Sequence, residues 1–115
     1  MYLAAPSMAQ QKTLSPEQAK VVEAVKEIFV AAKADDMAKF DELLLPGFYM
    51  FDVGKRFDGD AIMRLVRDYH AKGIKFEWNV TGPDVHIAGN SAWIAYVNRG
   101  RIIDPQGKAT EQSWL

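Results

Sequence analysis

One aspartate of this 115-residue chain is a candidate catalytic residue because of its position in the sequence. Asp52 ends the aromatic run Phe48-Tyr49-Met50-Phe51, which has the composition of a short strand. Apolar surroundings strengthen a carboxylate as a base, so Asp52 is the candidate for proton abstraction. The alternative is an aspartate that caps the turn after the strand, and a lone carboxylate without a visible catalytic partner favours the cap.

Three aromatic residues and one arginine are candidates for lining a ligand site. Tyr49, Trp93 and Tyr96 each combine an apolar ring with a polar tip, which suits a small-molecule pocket. Packing in a core or an interface is the alternative, and it is the commoner role of such rings. Arg99 is a candidate for holding an anionic ligand, with a solvated arginine near a strand end as the alternative.

The two histidines have simpler interpretations. His86 alternates with Val85 and Ile87, so it should point away from their side, toward the surface or an interface. His70 lies near the end of a helical pattern, where a cation interacts favourably with the helix dipole. We therefore expect neither histidine to be catalytic.

Composition narrows the classes of function. The chain is 49% hydrophobic and 25% charged, as is usual for a globular domain. Its net charge of -1, with scattered basic residues, predicts neither a nucleic-acid nor a membrane partner. The absence of cysteine excludes disulfides and thiolate chemistry, and two histidines leave little material for a metal site. Because the sequence carries no phosphate loop or dinucleotide fingerprint, we expect no cofactor.

The first 13 residues are set apart from the predicted domain at residues 14–115. Within them, Ser7-Met8-Ala9 before Gln10 places small residues where a signal peptidase prefers them. This segment is either the remnant of an export signal, which implies a periplasmic or secreted protein, or a flexible leader, which leaves the cytoplasm open.

Three helices are predicted ahead of the main sheet. Ser15 is a good N-cap, Pro16 suits the first helical position, and an apolar stripe continues to about residue 33. Asp35-Asp36 opens a second, shorter helix, and Asp58 caps a third that runs to about residue 71. The predicted buried faces comprise Val21, Val22, Val25, Ile28, Phe29, Ala32, Met37, Phe40, Leu43, Leu44, Ile62, Leu65, Val66 and Tyr69.

From residue 74 onward the apolar period changes to two, which indicates strands. Gly82-Pro83 is expected to break or bulge the first of these strands, and Gly89-Asn90 is a hairpin signal. An earlier turn is predicted at residues 53–56. The predicted strands are residues 48–52, 74–81 with a continuation to about 87, 91–103, and 108 onward.

The long strand at residues 91–103 is apolar on both faces. Trp93, Ala95, Val97 and Arg99 share one face, and Ala92, Ile94, Tyr96 and Asn98 share the other. We expect helices to cover one face and a second copy of the chain to cover the other, which predicts a homodimer. Helices followed by an antiparallel meander predict an α+β fold.

Three stretches of the chain resemble the nuclear transport factor 2-like superfamily, which includes SnoaL-like polyketide cyclases and ketosteroid isomerases. They are ADDMAKFDEL at residues 34–43, LPGFYMFD at 45–52 followed by FDGDAI at 57–62, and GNSAW at 89–93. The resemblance covers residues 16–115. It implies a cone-shaped curved antiparallel sheet with three N-terminal helices packed on its concave face, a pocket between them, and dimerisation through the outer sheet face.

The resemblance also bears on the candidate residues. Asp52 matches the position of the carboxylate that ketosteroid isomerases use as a general base. Phe29 matches the position of their tyrosine oxyanion donor and cannot donate a hydrogen bond, which disfavours steroid isomerisation. Because members of the superfamily usually carry a further strand, residues 14–115 are expected to lack it or to pair that edge with another chain.

The leading hypothesis is a domain that binds or processes a small apolar molecule in a pocket between the three helices and the sheet. Asp52 is expected to be the polar group that borders this pocket, and the other expected pocket residues are Phe29, Tyr49, Trp93, Tyr96 and Arg99. One alternative is a non-catalytic association module. Another is a SnoaL-like cyclase or isomerase that uses Asp52 as its base. The number of polar groups converging near Asp52 distinguishes the hypotheses, because an enzyme needs at least two.

Overall fold

The computed structural model of the protein describes residues 13–114. Their elements confirm the predicted α+β class, with three helices and antiparallel sheets. The helices are α1 (Pro16–Lys33), α2 (Met37–Leu43) and α3 (Gly59–Ala71). The strands are β1 (Tyr49–Asp52), β2 (Lys55–Asp58), β3 (Lys75–Glu77), β4 (Val80–Ala88), β5 (Ser91–Ile103) and β6 (Ala109–Trp114). The predicted signal-like stretch at residues 7–10 lies outside the described residues.

Each helix begins after a side chain that satisfies its free backbone N–H groups. The Ser15 hydroxyl accepts a hydrogen bond from the Gln18 backbone N–H at 3.2 Å, and the Gln18 amide oxygen accepts from the Ser15 N–H at 2.9 Å. The carboxylates of Asp36 and Asp58 cap α2 and α3 by accepting from the Lys39 and Ala61 backbone N–H groups, at 3.0 and 2.7 Å. Such caps contribute about 1 kcal/mol each, and they confirm the predicted helix starts.

The segment predicted as a turn at residues 53–56 contains the beginning of a strand. Only Val53 and Gly54 form the turn, and Lys55 already pairs with Asp52 in the β1–β2 hairpin. Both turn residues have positive φ, 43° and 76°, as a two-residue hairpin loop requires. Valine is a poor residue for that conformation because it is β-branched. The sequence therefore lacks the usual hairpin signal, and the prediction of a four-residue turn was wrong.

Strand β5 organises the main sheet. Strand β4 pairs with its first half, in register from Ala88 opposite Ser91 to Val80 opposite Asn98. Strand β3 continues along the same edge, and β6 pairs with the second half of β5 on the opposite edge. A register shift between Thr81 and Asp84 confirms the irregularity predicted at Gly82-Pro83. The sheet is curved but not closed.

A second irregularity was not predicted. The expected strand at residues 74–81 is divided at Trp78 and Asn79, between β3 and β4. There the Asn79 backbone N–H donates to the Asn98 side-chain oxygen at 2.9 Å, and the Asn79 amide donates to the Arg99 carbonyl at 2.9 Å. Side-chain amides thus replace part of the backbone ladder. The alternating apolar pattern continues through this point, so the pattern alone did not reveal the break.

The core lies where the three helices meet. Its cluster consists of Ala31, Ala32, Phe40, Ile62 and Met63, with Trp78 among the half-buried residues packed against it. Met63 was missed because it lies off the predicted stripe of α3. In addition, Tyr69, which was expected to face inward, is 37% exposed.

The predicted structural role of His70 has a specific partner. Its Nδ1 lies 2.8 Å from Asp35 Oδ1, and both side chains are at least half-buried. This contact links the last turn of α3 to the connection between α1 and α2. The ring also packs against Phe76 of β3, at a centroid distance of 6.0 Å.

Candidate functional site

The side of the main sheet that carries Trp93 is called the outer face here, and it comprises Asp84, His86, Trp93, Ala95, Val97 and Arg99. Alternation along β4 and β5 places these residues together, because His86 and Trp93 are cross-strand partners. Their rings stack at a centroid distance of 4.0 Å and an angle of 12°. The outer face therefore presents a stacked pair of aromatic rings.

Much of the outer face is open to solvent. The side chain of Trp93 is 56% exposed, and Ala95 and Arg99 are exposed as well. His86 Nε2 lies 3.1 Å from Asp84 Oδ1, which gives the aromatic pair a polar border. An exposed tryptophan beside small apolar residues is a surface that a protein partner can cover.

The opposite side of β5 carries an aromatic cluster beneath α1. The ring of Phe29 lies 5.7 Å from Trp78 and 6.4 Å from Tyr96, centroid to centroid. Trp78 also stacks on Phe76 at 5.2 Å and 6°. Tyr96 is half-buried, and burial raises the pKa of its hydroxyl above the ordinary value. The cluster is therefore well packed, and it carries one polar tip.

An open groove of about 590 Å³ runs beside this cluster, between α1 and the break that separates β3 from β4. It is called the α1 groove here. Its lining residues are Lys26, Phe29, Val30, Lys33, Glu77, Trp78, Asn79 and Val80. The volume falls within the range of small-molecule sites.

The one acidic residue that lines the α1 groove is held by an arginine. Arg101 donates to both carboxylate oxygens of Glu77, at 2.7 and 2.6 Å. These hydrogen bonds keep the pKa of Glu77 below its ordinary value and raise the pKa of Arg101. The positive charge of Lys33 acts on Glu77 in the same direction, though less strongly.

A second groove, of about 440 Å³, is formed by residues 43–49 at the end of α2. Tyr49 closes it, with the Arg56 guanidinium 4.1 Å above its ring and Phe51 edge-on at 6.0 Å. Phe51 is 68% exposed, and the neighbouring Leu45 and Val53 are also exposed. This region is a small apolar surface around the β1–β2 hairpin.

The six residues singled out from the sequence lie in separate places. Phe29 and Tyr96 are neighbours in the aromatic cluster, whereas Trp93 and Arg99 are on the outer face. Tyr49 lines the second groove. Asp52 is half-buried at the end of β1, opposite Lys55 in the hairpin, and it lines neither groove. Its use as a base stays a prediction.

Of the eight residues that line the α1 groove, only Phe29 was identified as a site residue from the sequence, and Trp78 and Lys33 are two of those that were missed. Trp78 was part of a predicted strand face, so only its packing role was evident. Lys33 was the last residue of a predicted helix. The available signal was the stripe Lys26, Phe29, Val30 and Lys33, in which two lysines seven residues apart flank apolar residues on one side of the helix.

Two further observations concern the described residues as a whole. No three His, Asp or Glu side chains of residues 13–114 form a cluster that could hold a metal ion. In the same part of the chain, no helix has both the length and the apolar composition that a membrane crossing needs.

The similarity of this chain to known proteins is found in its fold and not in its sequence. No family model and no curated protein matches the sequence. Among solved structures, the association domain of C. elegans CaMKII is 21% identical, with a TM-score of 0.67 over 84% of this chain and 78% of that one.

The structure of a candidate dehydratase from the nuclear transport factor 2-like family of Streptomyces avermitilis is 14% identical, with a TM-score of 0.60 over the same shares of the two chains. At these identities the likeness concerns the fold and not the activity. Together with the curved sheet and its three preceding helices, it shows that this chain has the nuclear transport factor 2-like fold.

Proposed function

We propose that the protein is an association domain that forms a homodimer through the outer face of its sheet. The observation that carries the proposal is the exposed Trp93, stacked on His86 and bordered by Ala95 and Val97. Tryptophan is the residue type most often found at the energetic centre of protein interfaces.

The geometry of a two-fold dimer suits this surface. In such a dimer the same patch of each copy meets itself, so a self-complementary face is required. The stacked pair is held on a rigid two-stranded ladder, which lowers the entropic cost of ordering it. Asp84 and Arg99 have opposite charges on the same face, and each can meet its opposite in a second copy.

The structural comparison supports this use of the fold as a precedent. One of the similar structures is the association domain of C. elegans CaMKII. Its TM-score of 0.67 is higher than the score of 0.60 for the dehydratase-like structure. The identity of 21% limits that support to the fold.

Sedimentation equilibrium of the protein and of Trp93→Ala tests the proposal. We expect a dimer at micromolar concentration and a dimer Kd about 30-fold higher in the variant, which corresponds to a loss of about 2 kcal/mol. Phe51→Ala is the matched control, because it removes an exposed aromatic ring from the β1–β2 hairpin and should leave the Kd unchanged. A wild-type monomer at about 100 µM, or equal Kd values for the Trp93 and Phe51 variants, would refute the proposed interface.

A second function is favoured by the α1 groove: binding of a small, largely apolar molecule between α1 and the sheet. The aromatic floor formed by Phe29 and Trp78 supports it, together with a volume suited to such a ligand. The two functions are compatible, because the outer face and the groove lie on opposite sides of β5.

A further inference from the structure

We infer that the α1 groove binds an amphipathic organic anion, with its apolar body on Phe29 and Trp78 and its acidic head at Lys33. The inference deepens the second function proposed above and rests on it. It adds the charge of the ligand and the residue that recognises that charge.

The floor of the groove is built to hold a flat or aliphatic apolar body. The rings of Phe29 and Trp78 are half-buried and tilted by 36° to one another. Because Trp78 also stacks on Phe76, its indole plane is fixed before any ligand arrives. A fixed aromatic surface binds apolar groups with little loss of side-chain entropy.

The α1 side of the groove is cationic. Lys26 and Lys33 are seven residues apart on α1, which places their Cα atoms about 10.5 Å apart along the same side of the helix. Between them lie Phe29 and Val30, so the two ammonium groups flank the apolar floor. Lys26 is partly engaged by Glu23, at 3.4 Å. Within residues 13–114, no carboxylate oxygen lies within 4.0 Å of the Lys33 ammonium.

The opposite wall does not cancel this charge. Its carboxylate, Glu77, is already neutralised by two hydrogen bonds from Arg101. Lys33 and Glu77 both line the groove, and the ammonium of Lys33 is close enough to lower the pKa of Glu77. The net charge along the groove is therefore positive, and a single anionic head is the complementary partner.

Three related probes separate the contribution of charge from that of apolar contact: 2-naphthoate, 2-naphthol and 2-naphthylmethylamine. The measurement is a nuclear magnetic resonance titration that follows the indole N–H signals of Trp78 in the groove and Trp93 on the outer face. We expect 2-naphthoate to shift the Trp78 signal saturably while the Trp93 signal stays in place. The anion should bind about five-fold more tightly than the neutral alcohol, as one exposed ion pair allows, and the amine should bind most weakly.

Two variants test the role of Lys33. Lys33→Gln should lower the affinity for 2-naphthoate to that for 2-naphthol, about five-fold, without changing the affinity for the alcohol. Val30→Glu places a negative charge beside the aromatic floor of the groove, at a side chain that is 67% exposed. It should lower the affinity for 2-naphthoate without lowering the affinity for 2-naphthol. Lys39→Gln, at an exposed position of α2, is the matched control and should bind like the wild type.

The outcomes distinguish the inference from the function on which it rests. Equal affinities for anion and alcohol, or a Lys33→Gln variant that binds the anion like Lys39→Gln, would overturn the anionic ligand while leaving apolar binding intact. If none of the probes shifts the Trp78 signal, the groove does not bind small aromatic molecules and the second function itself is wrong. Thermal melting of each variant confirms that its fold is retained.

Discussion

The outer face and the α1 groove each centre on a tryptophan, but they present it differently. Trp93 lies on the ladder of β4 and β5, is 56% exposed, and is followed along the same face of its strand by Ala95 and then Val97. Trp78 is half-buried in a concave groove, between a phenylalanine stack and a helix that carries lysines. The first arrangement suits another protein surface, and the second suits a small molecule.

The difference comes from how the two sides of one sheet are covered. Alternate residues of β5 serve the two sides, with Trp93 and Ala95 outward and Tyr96 and Asn98 toward α1. On the outer side the ladder of β4 and β5 is regular beneath the stacked rings. On the helix side, the break at Trp78 and Asn79 bends the sheet edge and opens the groove. A local backbone feature, and not composition, thus separates the two kinds of site.

The largest effect is expected from a substitution in β5, beside the break that separates β3 from β4. At Gly100, a Cβ atom would collide with the Glu77 backbone carbonyl, which forms part of the groove wall. Since backbone cannot rotate away as a side chain can, Gly100→Ala should lower the free energy of unfolding by about 3 kcal/mol, at the upper end for overpacking. Urea unfolding measures the loss.

Gly59→Ala is the control for the Gly100 variant. A Cβ atom there would meet the Phe40 ring at 3.5 Å, an ordinary contact, at the first residue of α3. Because alanine favours helix over glycine, this variant should be as stable as the wild type or up to about 1 kcal/mol more stable. If the two variants unfold at the same urea concentration, the groove wall accommodates the added methyl group and the expected collision with the Glu77 carbonyl does not destabilise the fold.

A smaller effect is expected from the tyrosine beneath α1, and it appears only at high pH. Burial raises the pKa of Tyr96 in the folded protein. Below the unfolded value of about 10, both states keep the proton and this contribution to stability is fully present. As the pH rises from there toward the folded pKa, the unfolded chain releases its proton first, so stability falls. Tyr96→Phe should remove the part of the stability loss at high pH that comes from this hydroxyl.

The matched variant is Tyr49→Phe, in which the hydroxyl is removed from an exposed ring of the β1–β2 hairpin. This variant should lose as much stability at high pH as the wild type does. Urea midpoints between about pH 9 and pH 11 provide the comparison, and parallel curves for wild type and Tyr96→Phe would mean that the helix side of β5 is as open to water as the outer face.

The sequence predicted most of the fold because local signals and tertiary packing agree there. Capping residues mark the helix starts, and Gly89-Asn90 marks the turn before the long strand at residues 91–103, whose predicted bounds equal those of β5. The errors occur where local signals are misleading. Val53 adopts a positive φ that its side chain disfavours, and the strand break depends on Asn98, which lies 19 residues away from its partner Asn79.

The candidate site was harder to predict for a related reason. Aromatic residues such as Tyr96 and Trp93 are identifiable in the sequence, but which of them share a surface is fixed by strand pairing and by the side of the sheet that α1 covers. Lys33 carries no motif, and its importance follows only from its position beside Trp78. Residue types thus indicated what chemistry is available, whereas contacts between distant segments decide where it is assembled.

The smallest effect is expected at Asp52, which belongs to neither region. It ends β1 opposite Lys55 and lines neither groove, so Asp52→Asn should change the free energy of unfolding by less than about 0.5 kcal/mol. Its 2-naphthoate affinity and its dimer Kd should equal those of the control Asp41→Asn, on exposed α2. A change in naphthoate affinity of more than about two-fold would show that the carboxylate reaches the α1 groove, since an exposed charge pair contributes up to about 1 kcal/mol. That result would place the Asp52 carboxylate near a ligand on the aromatic floor. It would favour a cyclase or isomerase in which Asp52 acts as the base.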